Sequence, residues 1–291
     1  MRVVLAVDSG KVYIPALSLL ARLSFENVRV SALHVIEIGH GIAMLPSANV
    51  YWHKIKSLED SGQGCLDEAL GFLKRNEIEH EAVLLKGHIS QKLIEFADGV
   101  VADLIVAGSE RKGRWGSFFF GSVTRALSIN ANQSFLVSKQ TTSGDGHVHA
   151  VVATDHSEYA TSCVEQILNW KPKGLKKVTL VTAFTTDISS FDYALQDVNV
   201  NVEEVFATIG NLLEQKSEAL CGKFREQGIE TEHIVKYGDT QEAIVNAMET
   251  TGAELLVLGA HTRTLMQRAT LGSTSMFFVV NSPYSTLVLR N

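Results

Sequence analysis

The chain has 291 residues, 45% of them hydrophobic and 20% charged, with a formal net charge of −6. That length allows two domains of ordinary size, each able to bury its own core, and the balance is globular and not disordered. The acidic surplus argues against a dedicated nucleic-acid binder and against a polybasic membrane patch.

The N-terminal run Arg2–Val7 is apolar and ends in Asp8-Ser9-Gly10, which reads as a buried strand and a turn. It is too short for a secretory h-region. No apolar run reaches the ~20 residues of a membrane helix. Ala16–Leu23 has helical spacing, and Val28–Ile36 is a second strand. Gly39–Val50 lacks periodicity and reads as loop. Tyr51–Arg75 places Leu58, Leu66, Ala69, Leu70 and Leu73 largely at helical spacing, with Ser61-Gly62 and Gly64 weakening its middle. Glu81–Lys86 is a third strand ending at Gly87, Ser90–Val101 a helix, and Leu104–Ala107 a fourth strand. Ser122–Ile129 is a helix and Ser134–Ser138 a fifth strand. Apolar strands alternating with helices indicate a parallel sheet covered on both faces, with ligands at the carboxyl ends of its strands.

Lys139–Gly146 is polar, with two glycines and no apolar residue, and reads as a linker. The pattern then restarts. Ala150–Thr154 leads to Asp155 as Val3–Val7 leads to Asp8, and Val178–Ala183 matches the second strand. A long amphipathic helix runs from Val205 to Phe224. His233–Tyr237, Ala243–Met248, Leu255–Leu258 and Ser285–Leu289 complete the series. Gly87 and Gly238 are 151 positions apart (238 − 87), as are Gly108 and Gly259, and Gly121 and Gly272. The expected organisation is a domain over 1–139, a linker over 140–146 and a second domain over 147–291.

Each copy carries one loop between a strand and a helix: Gly108–Ser122 in the first, Gly259–Ser273 in the second. The N–H groups at a helix start lack intrahelical partners, and the macrodipole makes that end partly positive. Gly121-Ser122 and Gly272-Ser273, with Val123 and Thr274 after them, can therefore donate to phosphates. Asp8 and Asp155 can hold a metal near the phosphates or hydrogen-bond the ligand. Val35 and Ala183, at the second strand of each copy, can flank a base. Each piece also has a plainer role. A Gly-Ser pair caps a helix, a glycine after a strand turns the chain, and an aspartate caps the next helix.

Arg111, Lys112 and Arg114 make the first loop cationic, and His261, Arg263 and Arg268 do so more weakly in the second. The aromatic run Trp115–Phe120 reads as core or interface packing. Cys65, Cys163 and Cys221 are odd in number and match no zinc spacing, which suits reduced thiols in a cytoplasmic protein. His147 and His149 show no third ligand, so no metal site is assigned. His88 and His156 follow strand ends on the ligand edge, where a surface or capping role is expected.

The aspartate after the first strand, the Leu33-His34-Val35 strand and the Gly–loop–Gly-Ser layout resemble the universal stress protein family, over nearly the whole chain and twice. The resemblance implies two Rossmann-like α/β domains, each a five-stranded parallel sheet with helices on both faces. In some members it implies binding of ATP or another adenine nucleotide, with Mg2+. Members that bind nucleotide carry a middle glycine in the loop. Here Arg111 and Thr262 stand in its place, while the span between outer glycines is 13 positions in both copies (121 − 108 and 272 − 259). Members pair through the last strand of each domain, so Ser134–Ser138 and Ser285–Leu289 are expected to pair within the chain as a pseudo-dimer, with a homodimer also open. Three readings follow: a stress-response protein binding an adenine nucleotide in one or both domains, an interaction module with degenerate loops, and a slow ATP hydrolase. The hydrolase ranks last because no general base can be placed.

Overall fold

The computed structural model describes residues 1–38, 48–109, 121–139, 146–185, 202–260 and 271–291. The first half runs β1 (Arg2–Ala6), α1 (Tyr13–Leu23), β2 (Arg29–Ile36), α2 (Ala48–Arg75), β3 (Glu79–Lys86), α3 (Ile89–Gly99), β4 (Leu104–Gly108), α4 (Ser122–Asn130) and β5 (Ser134–Ser138). The second runs β6 (Val148–Ala153), α5 (Glu158–Asn169), β7 (Leu175–Phe184), α6 (Val202–Arg225), β8 (Glu230–Tyr237), α7 (Thr240–Thr251), β9 (Leu255–Gly259), α8 (Ser273–Asn281) and β10 (Ser285–Leu289).

Within each half the strands are parallel, in the order β3-β2-β1-β4-β5 and its counterpart β8-β7-β6-β9-β10. The inner strands are covered on both faces, so β4 (LIVAG) and β9 (LLVLG) are continuously apolar and do not alternate. The outermost strands, β3 and β8, carry glutamates and are partly exposed, which discourages pairing at those edges. On one face, Leu20 of α1, Leu73 of α2, Val164 of α5 and Phe224 of α6 belong to a single buried cluster that spans both halves. On the other face, α3 and α4 pack through Leu93 and Leu127, and α7 through Ile244 and Met248.

Local chemistry sets the helix boundaries. α1 buries Tyr13, Ala16, Leu17, Leu20 and Leu23, a one-sided stripe, and closes at Ser24 in the left-handed region (φ 50°). α2 begins at Ala48, so the end of the expected loop Gly39–Val50 is helical, and residues 39–47 lie outside the described set. α2 also runs unbroken through Ser61-Gly62 and Gly64. Packing outweighs propensity there, because Ile55, Leu66, Ala69 and Leu73 are buried. Gly62 lies against the His34 ring, and a Cβ on it would be 2.5 Å from His34 Cδ2.

The halves join through β5 and β10, which pair antiparallel with Leu136 opposite Leu287, giving one ten-stranded sheet. Two buried cations flank this seam. Lys139, which the sequence places in a polar linker, is buried. Its Nζ donates to the carbonyls of Phe278 (3.1 Å), Val279 (2.6 Å) and Ser282 (2.8 Å) at the end of α8. Arg290 answers it from the other copy, with Nη2 donating to Ser128 O (2.8 Å) and Leu127 O (3.4 Å) at the end of α4. Each copy thus caps the last helix of the other where the dipole is negative. Ser134 Oγ accepts from Arg290 N (3.0 Å) and Ser285 Oγ from Lys139 N (3.3 Å), repeating the same relation. Away from the sheet, Gly174 N–H donates to Leu23 O (3.0 Å), and the Trp170 ring meets Phe25 edge-on at 5.9 Å.

Candidate functional site

In the first copy the order β2-β1-β4 puts the topological switch between β1 and β4. A cleft of about 580 Å³ opens at the carboxyl ends of these strands. β1 contributes Asp8 at its exit, β2 contributes His34 and Val35, β4 contributes Gly108, and the start of α4 contributes Gly121, Ser122 and Val123. One hollow therefore gathers the described first-copy residues expected from sequence.

The Asp8 carboxylate caps α1, accepting from Val12 N–H (3.2 Å) and Tyr13 N–H (3.0 Å). This anchors the strand–helix turn and leaves the carboxylate on the cleft wall. His34 is buried, and its Nδ1 lies 2.8 Å from Val7 O. A carbonyl only accepts, so Nδ1 carries the proton. Val35 and Ile36 supply an apolar wall.

The two glycines of the loop differ in kind. A Cβ on Gly108 would fall 1.9 Å from Val12 O, so glycine there lets α1 start against the end of β4. Gly121 has φ −61° and ψ 154°, which any residue adopts, and a Cβ on it would meet nothing among the described residues within 4 Å. Neither that backbone conformation nor the described neighbours require glycine at that position. Arg125 N–H bonds Gly121 O (2.9 Å), and Gly121, as the N-cap of α4, has no side chain with which to cap it. The N–H groups of Ser122, Val123 and Thr124 precede the first intrahelical bond and border the cleft.

The second copy repeats the frame with different contacts. Asp155 Oδ1 accepts from Ser157 N–H (3.0 Å), and Ser157 Oγ caps α5 through Ala160 N–H (3.1 Å). His156, in the left-handed region (φ 57°), sets its ring between Thr182 Oγ1 (2.9 Å) and Ser217 Oγ (3.0 Å). Burial holds its imidazole below the usual histidine range. Thr182 occupies the place that His34 has in the first copy. Ala183 follows it on β7, and Phe184 packs edge-on against Tyr237 at 5.6 Å. Gly259 faces the Tyr159 ring, and its carbonyl accepts from Ser275 Oγ (2.7 Å). Gly272 (φ −60°, ψ 158°) starts α8 without a side-chain cap, with Ser273 and Thr274 in its first turn.

Arg111 and Thr262, the other loop cations and the aromatic run Trp115–Phe120 lie outside the described residues. His88 begins α3 without a side-chain bond to it, and His149 Nε2 lies 3.0 Å from Thr179 Oγ1. The sequence reading missed Leu58, Ile89, Leu93, Ser109 and Thr124 on the cleft wall. Thr124 was reachable as the next residue of the same helix turn. The apolar ones carry no signal beyond helical spacing, which any core residue shares.

A doubly wound parallel sheet present twice in one chain, with a cleft at the switch point of the first copy, defines a Rossmann-like α/β protein of tandem domains. The model of the universal stress protein family matches residues 1–139 and again 148–290, so the chain belongs to that family. Stress response protein NhaX of Bacillus subtilis (strain 168) is 31% identical over 81 residues, 28% of this chain and 49% of that protein. The match thus spans about half the length of NhaX. Universal stress protein MJ0577 of Methanocaldococcus jannaschii is 24% identical over 147 residues, 47% of this chain and 91% of its own. A universal stress protein from Archaeoglobus fulgidus DSM 4304 superposes with a TM-score of 0.69 at 17% identity, covering 99% of this chain and 98% of that one. PA1789 of Pseudomonas aeruginosa PAO1, described as functionally unknown, gives 0.61 at 14% identity, over 99% and 92%. These two likenesses carry the fold along the full chain. Among the described residues no helix is long and apolar enough to cross a membrane.

Proposed function

We propose that this stress-response protein binds an adenine nucleotide of the ATP or AMP type, with Mg2+, in the cleft of its first copy, as a sensor and not as a catalyst. The observation that carries this reading is Gly121. Among the described residues it has no neighbour where a side chain would go, and it starts a helix that borders a cleft of about 580 Å³, within the ordinary range for small-molecule sites. The phosphates would lie on the N–H groups of Ser122, Val123 and Thr124 and the Ser122 hydroxyl, where a side chain on Gly121 would intrude. Asp8 would hold the Mg2+ beside them. The base would rest on Val35 and Ile36. Asp155, Ala183, Gly259, Gly272, Ser273 and Thr274 would form the corresponding second site. There the His156 ring takes room at the strand end, and for that reason the first copy is preferred.

Hydrolysis is not part of the proposal. His34, the histidine among the described residues of the cleft wall, spends its Nδ1 proton on Val7 O and packs its other nitrogen against Gly62. The β5–β10 pairing supplies an intrachain pseudo-dimer, and a homodimer of two chains would use another surface. A cytoplasmic location, with neither nucleic acid nor membrane as partner, belongs to the same reading.

The test is native mass spectrometry of the purified chain, with thermal unfolding in millimolar ATP and Mg2+. Bound nucleotide or a raised Tm supports the proposal, since a ligand of the native state alone stabilises it. Neither a nucleotide nor a shift would sink it and leave the interaction module as the reading.

A further inference from the structure

Remote from the cleft, where α6 covers the outer strand β8, one group of side chains among the described residues converges as metal ligands do. Glu218, Cys221 and His233 bring one ligand atom each to within 4.8 Å of one another. Glu218 and Cys221 are three apart on one face of α6, and His233 reaches them from β8. His233 Nδ1 lies 3.8 Å from Cys221 Sγ and 3.6 Å from Glu218 Oε2. A tetrahedral zinc ion, with bonds of about 2.0–2.3 Å, sets its donor atoms roughly 3.3–3.8 Å apart.

The surroundings are ordered for such an ion. His233 Nε2 is 2.5 Å from Glu214 Oε2. With that nitrogen donating to the carboxylate, the Nδ1 lone pair is turned toward the thiol and the second carboxylate. A carboxylate–histidine pair of this kind orients a metal-binding imidazole. Cys221 is buried, so its sulfur is shielded from solvent on the protein side. Glu218 is also paired with Arg225 (Nη1–Oε1 2.5 Å, Nη2–Oε2 3.2 Å), which holds its carboxylate in place. The fold does not demand this trio. Leu33 pairs with Val83 as Val181 pairs with Ile234, so the first copy has Ala82 at the place of His233. It has Asp67 and Leu70 at the places of Glu218 and Cys221.

We propose that Cys221, His233 and Glu218 form a binding site for one zinc-class divalent cation, through thiolate Sγ, imidazole Nδ1 and carboxylate Oε2, with water as fourth ligand. The mixed sulfur, nitrogen and oxygen set suits Zn2+ and disfavours Mg2+ or Ca2+. Binding replaces the thiol proton, which leaves to solvent, with the metal–sulfur bond. The ion would clamp the second half of α6 to the edge strand β8. The site stands independently of the nucleotide cleft.

The test uses the full chain, stripped with a chelator and titrated with Co2+ as a spectroscopic probe and with Zn2+. The expected result is one ion per chain, a thiolate-to-cobalt charge-transfer band, and a higher Tm in Zn2+. The band should vanish in Cys221→Ser and in His233→Ala and persist in Cys65→Ser and Cys163→Ser. Glu214→Gln should weaken Zn2+ binding about 10–100-fold while keeping the band. His233 is partly exposed on an outer strand, so His233→Ala decides the matter even if Cys221→Ser does not fold. Absence of a thiolate band, its survival in His233→Ala, or an unchanged Tm in saturating Zn2+ would overturn the proposal. The cluster would then be a histidine held by hydrogen bonding to Glu214, with Glu218 and Cys221 as mere neighbours.

Discussion

Gly108 and Gly121 bound the same loop and look alike in the sequence, yet they answer to different constraints. Gly108 is required by the protein, because its missing Cβ is where the Val12 carbonyl sits, 1.9 Å away. Gly121 has an ordinary extended backbone and, among the described residues, no neighbour that a side chain would meet. We expect Gly108→Ala to destabilise the fold by about 1–3 kcal/mol or more, as overpacking against backbone does. Gly121→Val should change stability by no more than about 0.5 kcal/mol. If the cleft holds a nucleotide, Gly121→Val should also weaken its binding at least about tenfold, the equivalent of roughly 1.4 kcal/mol. Urea unfolding of both variants, with ATP titrations of the second, reads the contrast. An unstable Gly121→Val would show that the position is structural and would remove the main support for the site.

At the scale of elements, the end of one copy's sheet finishes the other copy's last helix. The terminal carbonyls of α8 are satisfied by Lys139, and those of α4 by Arg290. Hydrogen bonds to charged groups contribute about 1.5–3 kcal/mol. Lys139→Met keeps the stem and removes the ammonium, leaving the α8 carbonyls without that donor. It should lower the urea-unfolding free energy by about that amount. An unchanged midpoint would mean that the cost of burying the charge cancels the bonds it makes.

For the whole molecule, burial of titratable groups sets the alkaline limit. It pushes the phenols of Tyr13 and Tyr159 up to about 12 and the Cys163 thiol up to about 11. In the unfolded chain these groups ionise near their ordinary values of 10.0 and 9.0. Above roughly pH 9 the unfolded state therefore sheds protons that the native state keeps, and stability falls as pH rises through the native values. Lys139 acts in the opposite direction. Burial pushes it down to about 8, from an ordinary 10.5. Between those values the unfolded chain holds a proton the native chain has lost, so stability gains with pH. The sum is a net fall above about pH 9–10, and it should be steeper in Lys139→Met, which lacks the opposing gain. Chemical denaturation over roughly pH 7–11 measures it, and parallel profiles for the two proteins would contradict the assignment to Lys139.

Several features were legible without coordinates, because they rest on periodicity and spacing. Continuous apolar runs such as Leu104–Ala107 and Leu255–Leu258 declare strands buried on both faces, and glycines at one constant offset declare two copies. Expecting Ser134–Ser138 and Ser285–Leu289 to pair needed the family resemblance, and the β5–β10 ladder shows them joined. Other features depend on atoms far apart in the chain. No local pattern distinguishes the packing glycine 108 from the open glycine 121, since the difference is the position of Val12. Gly62 reads as a helix weakness until His34 is seen against it. Lys139 reads as linker because its partners lie about 140 positions on. His233 meets Cys221 only because β8 folds back along α6. Sequence determines which elements form, since each needs only its own periodicity. Tertiary structure alone decides which side chains meet, because a close contact or a shared ion is a property of two surfaces brought together.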